Sequence, residues 1–277
     1  MNANARSVGI ALGGGGVRGL GHIPALETID ACGIKPVAIA GTSMGALMGV
    51  LYAAGRSGKD IRRFVEEHIV TRHDGIKDLY GKRASLLKWL RAVRLSWTGT
   101  GLLQADSFLR YLIEQMAVTR FEDLKIPLRV VATDYYSGES IVFDSGPLLP
   151  ALKASMSIPA VFVPVQHDGR ILVDGGVSNN LPYDMLPASC DLTIAIDVMP
   201  ARETGTADPP RMIDATLSMF DLLVTKITTA MIEKHPPDIY FNPGLTGIRI
   251  LDFDKAEEVF KQAEAAVPKL KEKVTSG

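Results

Sequence analysis

The sequence has few of the features that staple small secreted proteins together or anchor a chain in a membrane. Its two cysteines, Cys32 and Cys190, are too few for a disulfide scaffold and have no metal-site spacing around them, which indicates reduced thiols and no bound metal. No uninterrupted apolar run reaches the roughly 18 residues typical of a membrane-spanning helix. The segment from Met1 to Ser7 is short and polar, unlike a secretory signal. We therefore expect a cytoplasmic protein.

Charge of one sign is also lacking. The 30 Lys and Arg residues nearly balance the 31 Asp and Glu residues, for a formal net charge of −1. Without a basic surplus, the chain lacks the electrostatic footprint of a general nucleic-acid binder, so no nucleic-acid partner is expected. The hydrophobic share of 47% is instead typical of a packed core. We predict one domain over residues 1–277.

The order of apolar runs predicts an α/β fold. Short buried strands are expected at 8–12 and 37–40, each followed by a glycine-containing turn and a helical pattern. Alternating strands and helices favour a mainly parallel central sheet with helices on both faces. Further strands are predicted at 128–132, 140–143, 161–165, 170–173, 192–196 and 238–241. We also predict a helical insertion or cover over about 60–120, a mobile loop over 201–210, and a helix from Asp254 that kinks or ends at Pro268.

The segment Gly41-Thr42-Ser43-Met44-Gly45 carries the first sign of chemistry. It matches the G-x-S-x-G pattern, and it follows an apolar strand and precedes a helical stretch. A serine on such a sharp turn needs small neighbours, which Gly41 and Gly45 supply. The turn would place the Ser43 hydroxyl at the positive end of the following helix, which favours developing negative charge. The alternative is a turn in which Ser43 only caps a helix, but the strand–turn–helix context favours a nucleophile.

A glycine-rich loop, Gly13-Gly14-Gly15-Gly16-Val17-Arg18-Gly19, is the second motif. Consecutive glycines before a helix can turn several backbone N–H groups toward one point and so bind an anion. Gly14, Gly16 and Gly19 fit the G-x-G-x-x-G pattern of dinucleotide sites, but the acidic residue expected at the end of the next strand is absent. An oxyanion hole for a tetrahedral acyl intermediate is the favoured interpretation, because parallel strands place this loop beside Ser43.

A serine nucleophile needs a base to take its proton. Asp174 ends a buried apolar strand, where a carboxylate seldom lies without a partner, and Gly175 and Gly176 allow a tight turn after it. The alternative is an ordinary turn aspartate. Two histidines follow the serine motif with strands between: His167 in a predicted hairpin turn and His235 in a predicted loop. Both positions fit a solvated surface better than a base, and a Ser–His–Asp hydrolase that uses His235 stays open as an alternative.

Three blocks together resemble the signature of a known family. Gly14–Gly19, Gly41–Gly45 and Asp174–Gly176 resemble the signature blocks of patatin-like phospholipases, and they occur in the family's order on the expected elements. Ala132–Asp134 and Ala154–Ala160 resemble further stretches of its bacterial members. The resemblance covers residues 8–196 and implies a patatin-like three-layer sandwich.

The resemblance also implies an activity and a site. The activity is that of a lipid acyl hydrolase of the phospholipase A, lysophospholipase or carboxylesterase type. Ser43 would be the nucleophile of a Ser–Asp dyad and Asp174 its general base. The oxyanion hole is predicted at Gly14, Gly15 and Gly16, with the last two giving the amides. Arg18 would orient the loop or contact an anionic group, with a plain surface arginine as the alternative. The supporting glycines are Gly19, Gly41, Gly45, Gly175 and Gly176. No cofactor is implied. A non-catalytic lipid- or nucleotide-binding regulatory module on the same fold is the alternative.

Residues 84–97 form the most amphipathic stretch, with Trp97 on its apolar face and Trp89 beside that face. The basic residues Lys88, Arg91 and Arg94 lie away from it. A basic helix with tryptophan on its apolar side can lie in a bilayer interface. The expected partners are therefore a lipid or fatty-acyl ester substrate and a membrane surface that this stretch contacts peripherally. The alternative is a cover helix packed on the sheet. Apolar residues between 212 and 231 fit either a core or an interface, which leaves the oligomeric state open.

Overall fold

An eight-stranded mixed sheet forms the centre of the fold in a computed structural model, which describes residues 6–68, 106–201 and 212–276. The strands are β1 (Val8–Leu12), β2 (Pro36–Thr42), β3 (Leu128–Asp134), β4 (Ser140–Phe143), β5 (Val165–His167), β6 (Arg170–Asp174), β7 (Leu192–Ile196) and β8 (Ile239–Phe241). Their order is β5-β6-β3-β2-β1-β7-β8, and β4 pairs with β3. The run from β3 to β8 is parallel, and β4, β5 and β6 are joined antiparallel. The predicted α/β class is confirmed.

Helices account for most of the remaining described chain. They are α1 (His22–Ala31), α2 (Met44–Ala53), α3 (Gly58–His68), α4 (Asp106–Met116), α5 (Leu148–Ser155), α6 (Met212–Lys234) and α7 (Ala256–Ser276). Short 3-10 turns occupy Gly16–Gly21, Phe121–Asp123, Gly175–Val177, Tyr183–Met185 and Phe253–Lys255. The predicted helical region 60–120 begins in α3 and contains α4, while residues 69–105, with the amphipathic stretch 84–97, lie outside the described residues. The predicted loop 201–210 lies outside them from residue 202 onward.

The two faces of the sheet are packed differently. Ile10 and Leu12 of β1 point into a large apolar core that includes residues of α1, α2, α3, α4, α5 and α7. Ala11, between them, points to the other face, where Leu181 and Tyr183 cover the sheet together with side chains of α6. Alternation along a strand explains this division. Small alanine side chains on the second face let the covering segment approach closely, and the result is the expected three-layer arrangement.

One predicted strand boundary was wrong, and one helix continues past a predicted kink or end. The strand predicted at 161–165 starts only at Val165, because Ala160 takes a φ of 67° and Val161 packs into an apolar cluster with Ile158. Pro268 does not end α7, which continues to Ser276, so of the predicted kink or end only a kink is left. Its position is exposed, so the backbone carbonyl that loses its helical hydrogen bond at a proline can be hydrated.

One helix of the described residues, 214–234 within α6, is long and apolar enough to cross a bilayer by length and composition. Its sequence is not an uninterrupted apolar run, because Asp221 and Lys226 lie within it. One side of this helix packs on the protein through buried Val224 and Thr228. Most of the rest of its surface is exposed.

Candidate active site

The sheet brings the three sequence motifs to one edge. β1 and β2 are parallel, with Leu12 opposite Gly41, so the glycine loop and the serine turn follow directly at the same edge. On the other side of β2, Thr42 pairs with Val131. β6 runs antiparallel to β3 and places Asp174 opposite Ala132. β6 therefore ends at Asp174, and this residue lies level with the start of the serine turn.

The hairpin of β5 and β6 fixes the position of β6, the strand that ends in Asp174. Asp168 and Gly169 have φ values of 47° and 75°, as the predicted Asp-Gly turn requires. The pairing of His167 with Arg170 sets the register of β6, and a slip by one residue would send the Asp174 side chain to the opposite face.

Ser43 sits on a strained turn between β2 and α2. Its φ and ψ are 53° and −124°, a region that non-glycine residues seldom occupy. The Ser43 amide donates to the Ser155 hydroxyl over 2.8 Å, and the side chain is almost fully buried. Ser155 therefore helps to hold the turn. Ser155 lies in the stretch 154–160, whose sequence pattern predicts no role for this residue.

Asp174 is a buried carboxyl with one unsatisfied oxygen. Asp174 is only 2% exposed to solvent. Its Oδ1 accepts a 2.8 Å hydrogen bond from the Gly176 amide, whereas Oδ2 has no hydrogen-bond partner among the described residues. Burial raises the pKa of Asp174 to about 7, and the Gly176 amide and the nearby Ser43 hydroxyl act in the opposite direction. The hydroxyl is thus close enough to influence the carboxyl without being aligned on Oδ2. Such loose geometry is common before substrate binds.

Asn180 holds Gly14 through its backbone carbonyl and its side-chain amide. The Gly14 amide donates to the Asn180 carbonyl over 3.1 Å, and the Gly14 carbonyl accepts from Asn180 Nδ2 over 3.2 Å. Gly14 was predicted as part of the oxyanion hole, with Gly15 and Gly16 as the donors, and its own N–H is indeed used by Asn180. Gly14 instead provides space: a Cβ on it would lie 3.2 Å from Ser43 Cβ.

The amides of Gly15 and Gly16 are oriented by hydrogen bonds to the carbonyls of the same peptide groups. Asn180 holds the carbonyl of the Gly14–Gly15 peptide. Arg18 holds the carbonyl of the Gly15–Gly16 peptide through its amide, at 3.2 Å, and through Nε, at 3.1 Å. Because C=O and N–H point in opposite directions in a trans peptide, the amides of Gly15 and Gly16 point away from these anchors. Within the described part of the chain neither amide donates a hydrogen bond, so the loop that approaches Ser43 through Gly14 carries two free main-chain donors.

Arg18 is fully buried and serves the loop rather than an external anion. Its two terminal nitrogens form a bidentate ion pair with Asp221 of α6, at 2.7 and 3.0 Å. Between the two predicted roles of Arg18, the structure shows the loop-orienting contact. A planar guanidinium with all three nitrogens engaged fixes geometry in a way that lysine cannot.

His22 is a second support that sequence reasoning missed. Its Nε2 lies 2.7 Å from the Gly13 carbonyl, and burial lowers the pKa of His22 to about 4. The ring is therefore neutral near pH 7 and donates to the loop through Nε2. The signal that could have found it is its position just after the glycine loop, at the start of α1.

The supporting glycines allow close packing of the site's backbone. A Cβ at Gly41 would lie 2.7 Å from Ala46 Cα, and one at Gly176 would lie 3.0 Å from Asp174 Oδ1. A Cβ at the other three positions would overlap neighbours outright: Met44 at Gly19, the Leu12 carbonyl at Gly45 and the Val131 carbonyl at Gly175. These glycines thus let the two turns and the glycine loop touch.

The histidine alternative gains no support from the described residues. His235 is exposed, and its hydrogen bonds run through its backbone, to Met231 and from the Tyr183 hydroxyl. His167 pairs with neighbouring Asp168 at 3.4 Å. Neither imidazole contacts Ser43. No group of three or more His, Cys, Asp or Glu side chains in the described ranges is arranged to hold a metal ion.

Comparison with known proteins gives the family. Residues 10–187 match the model of patatin-like phospholipases. An uncharacterized NTE family protein of Mycobacterium tuberculosis is 34% identical over 228 residues, which cover 78% of this chain and 58% of that protein. Lysophospholipase NTE1 of Saccharomyces cerevisiae is 26% identical over 286 residues, which cover 93% of this chain and 16% of that protein. This chain thus corresponds to only part of these relatives.

A solved structure agrees in fold. VipD from Legionella pneumophila has a TM-score of 0.52 to this chain at 14% identity, over 96% of this chain and 66% of that one. The match to the family model spans most of the chain and includes all three motif blocks. The chain belongs to the patatin-like phospholipase family, as its sequence motifs predicted.

Proposed function

We propose that this chain hydrolyses carboxylic esters of lipids, with Ser43 as the nucleophile and Asp174 as the general base. One observation carries the proposal. A strained serine, a buried carboxyl of raised pKa and two unpaired main-chain amides share one edge of the sheet. Perturbed carboxyls beside a nucleophile are a signature of catalytic sites. The phospholipase family, and a relative named as a lysophospholipase, support a lipid ester as the substrate class.

The acylation step uses each of these groups once. Ionised Asp174 takes the Ser43 hydroxyl proton while Oγ attacks the ester carbonyl carbon. The amides of Gly15 and Gly16 donate to the oxyanion of the tetrahedral intermediate, where preorganised donors act most strongly. The intermediate collapses, the C–O bond to the alcohol breaks, and the alcohol takes the proton from Asp174.

Deacylation repeats the same chemistry with water. Asp174 takes a proton from a water molecule, whose oxygen attacks the acyl-serine carbonyl. The same two amides stabilise the second tetrahedral intermediate. The fatty acid leaves as the Ser43 oxygen recovers the proton from Asp174, and the dyad returns to its starting state.

The raised pKa of Asp174 predicts the pH dependence of the reaction. A general base acts only when ionised, and the pKa of Asp174 is about 7. We expect kcat/KM for a soluble p-nitrophenyl ester to rise about tenfold per unit of pH below 7 and to level off above it, since kcat/KM reports ionisation of the free enzyme. A profile that is flat across this range would argue against Asp174 as the base.

The same pKa makes a linked prediction for stability. The folded-state pKa of Asp174 lies above the ordinary value of 3.8, so the folded state binds the proton more tightly than the unfolded state. Protonation therefore stabilises the fold at low pH, and this contribution is lost as pH rises through about 7. Asp174→Asn, which cannot ionise, should raise the melting temperature relative to wild type more at pH 8 than at pH 5. An equal or smaller gain at pH 8 would contradict the raised pKa.

Ester hydrolysis tests the proposal against its alternatives. Purified protein is assayed with a p-nitrophenyl ester and with phospholipid and lysophospholipid in vesicles or micelles, with fatty acid release measured. The proposal requires turnover by wild type that survives in His235→Ala. A non-catalytic binding module would bind lipid without release, and loss of turnover in His235→Ala would instead support a Ser–His–Asp hydrolase.

Asn180 gives a test of the oxyanion loop. Asn180→Ala removes the donor that holds the Gly14 carbonyl and frees the peptide whose N–H belongs to Gly15. We expect kcat to fall about tenfold with little change in KM, because one hydrogen bond is lost and the amide acts in the transition state. Asn179→Ala is the matched control, since the Asn179 side chain bonds Asp184 instead. An effect confined to KM, or an equal loss in both variants, would contradict this role.

Membrane contact through residues 84–97 belongs to the same proposal. The stretch lies outside the described residues, and its amphipathic pattern is what supports it. Unchanged sedimentation with vesicles after Trp89→Ala and Trp97→Ala would favour a cover helix.

A further inference from the structure

The outward side of α6 is an exposed apolar surface. It carries Met212, Met219, Leu222, Leu223 and Ile227, which we call the outer face of α6. Met219 and Leu223, near its middle, are 54% and 55% exposed. Contiguous apolar residues of this kind on one helix mark an interaction site far more often than scattered ones do.

Charge on α6 is arranged to leave this face almost neutral. Asp214 pairs with Arg249 at 2.9 Å, and Asp221 pairs with buried Arg18. From residue 215 to residue 232, Lys226 is the remaining ionisable side chain, and it is exposed beside Ile227. A cation at the border of an apolar helix face complements the phosphates of a lipid headgroup layer.

The inner side of the same helix reaches the candidate active site. Leu217 and Phe220 pack with Ile158, Val161 and Ile250 in one apolar cluster.

Two contacts join this cluster to the catalytic loops. The Phe220 ring comes within 3.4 Å of where a Cβ on Gly176 would lie, and the Ile250 carbonyl accepts from the Val17 amide over 3.0 Å. Apolar side chains of the inner side of α6 thus reach the turn that follows Asp174.

We propose that α6 docks the protein on a phospholipid bilayer surface, with its outer face inserted at the level of the headgroups and upper acyl chains. The proposal rests on the lipid ester hydrolysis proposed above and adds where the substrate layer is met. The helix lies on the bilayer and does not cross it, because Val224 and Thr228 on its other side are buried in the protein and Asp221 is tied to Arg18. An acyl ester lifted from the layer enters along Phe220.

The test compares vesicle binding of matched variants. The double variant Met219→Gln and Leu223→Gln makes the outer face polar, and Val37→Gln changes an exposed apolar residue at the far end of β2 from Ser43. All are made in a Ser43→Ala background, so that binding is measured without turnover. The probe is vesicles of phosphatidylcholine with phosphatidylglycerol, scored by co-sedimentation. We expect the double variant to bind about tenfold more weakly, and Val37→Gln to bind as its parent does. Lys226→Gln should weaken binding only when phosphatidylglycerol is present.

Failure of this proposal is distinguishable from failure of the proposed function. In the Ser43-containing protein, the double variant should keep its kcat/KM on a soluble ester and lose hydrolysis of vesicle lipid. Weakened vesicle binding in a protein without esterase activity would support docking and refute catalysis.

Unchanged vesicle binding in the double variant would overturn the docking proposal. So would a dimer in solution that the double variant dissociates, because the outer face would then be an interface between two copies. A large loss of thermal stability in the double variant, with vesicle binding intact, would show that the chain itself covers this face.

Discussion

Replacing Ser43 with Ala is expected to lower kcat for ester hydrolysis by roughly 10⁴-fold or more, because the covalent route is lost. Asp174→Asn should lower it by roughly 10²- to 10⁴-fold, the usual contribution of a general base. The Asn side chain keeps the oxygen that accepts from the Gly176 amide, so the turn after β6 is retained. Both variants are measured on the same soluble ester, to separate chemistry from access to lipid.

The controls for this pair decide how the loss is interpreted. Circular dichroism and thermal melting should show both variants folded, since neither substitution adds volume to the buried site. The kcat of a variant that carries both Ser43→Ala and Asp174→Asn should be about as low as that of Ser43→Ala alone, because the effects of residues that act as one unit are not additive. Turnover of Asp174→Asn close to that of wild type would contradict the dyad.

Gly16→Ala is expected to lower kcat by roughly 10²- to 10³-fold, the cost of losing one oxyanion donor. Gly16 has a φ of 59°, which is costly for any residue with a Cβ. That Cβ would also overlap the Ile250 carbonyl. The loop must therefore shift, and the Gly16 amide moves away from the position where the oxyanion forms. The measurement is kcat and KM on the soluble ester, together with a thermal melt.

The matched control lies in the same 3-10 turn. A Cβ on Gly21 would meet its nearest neighbours, Ala263 and Val198, at 3.6 Å, an ordinary contact distance. Gly21 also has a helical φ of −64°. Gly21→Ala should therefore keep most of the activity of wild type. Equal losses in both glycine variants would show that general packing matters here, and full activity of Gly16→Ala would refute a role for its amide.

Several strands and the motifs beside them could be predicted because their signals are local. The boundaries of β1, β4 and β7 follow directly from short apolar runs, and the serine turn shows itself by small residues between a strand and a helix. The hairpin before β6 was also predictable, since Asp-Gly favours positive φ. The first strand of that hairpin was not, because the fate of Val161 depends on an apolar cluster built from distant segments.

The supports of the site could not be read from the sequence. Asn180 bonds the glycine loop across 166 residues, Ser155 holds the serine turn across 112, and Asp221 pairs with Arg18 across 203. Periodicity and spacing report which face of an element is apolar, but they do not report which polar side chain a folded chain brings to a given peptide. The folded arrangement of the strands supplies that information. It also shows that the Gly14 amide donates to the Asn180 carbonyl.

The most direct measurement is labelling with a fluorophosphonate probe, followed by peptide mapping by mass spectrometry. Such a probe reacts with a serine that is activated by a base and flanked by oxyanion donors. The account predicts one adduct, on Ser43, that forms much more slowly in Asp174→Asn and at the same rate in His235→Ala. An adduct on another residue, or a Ser43 that reacts equally fast without the Asp174 carboxylate, would contradict it.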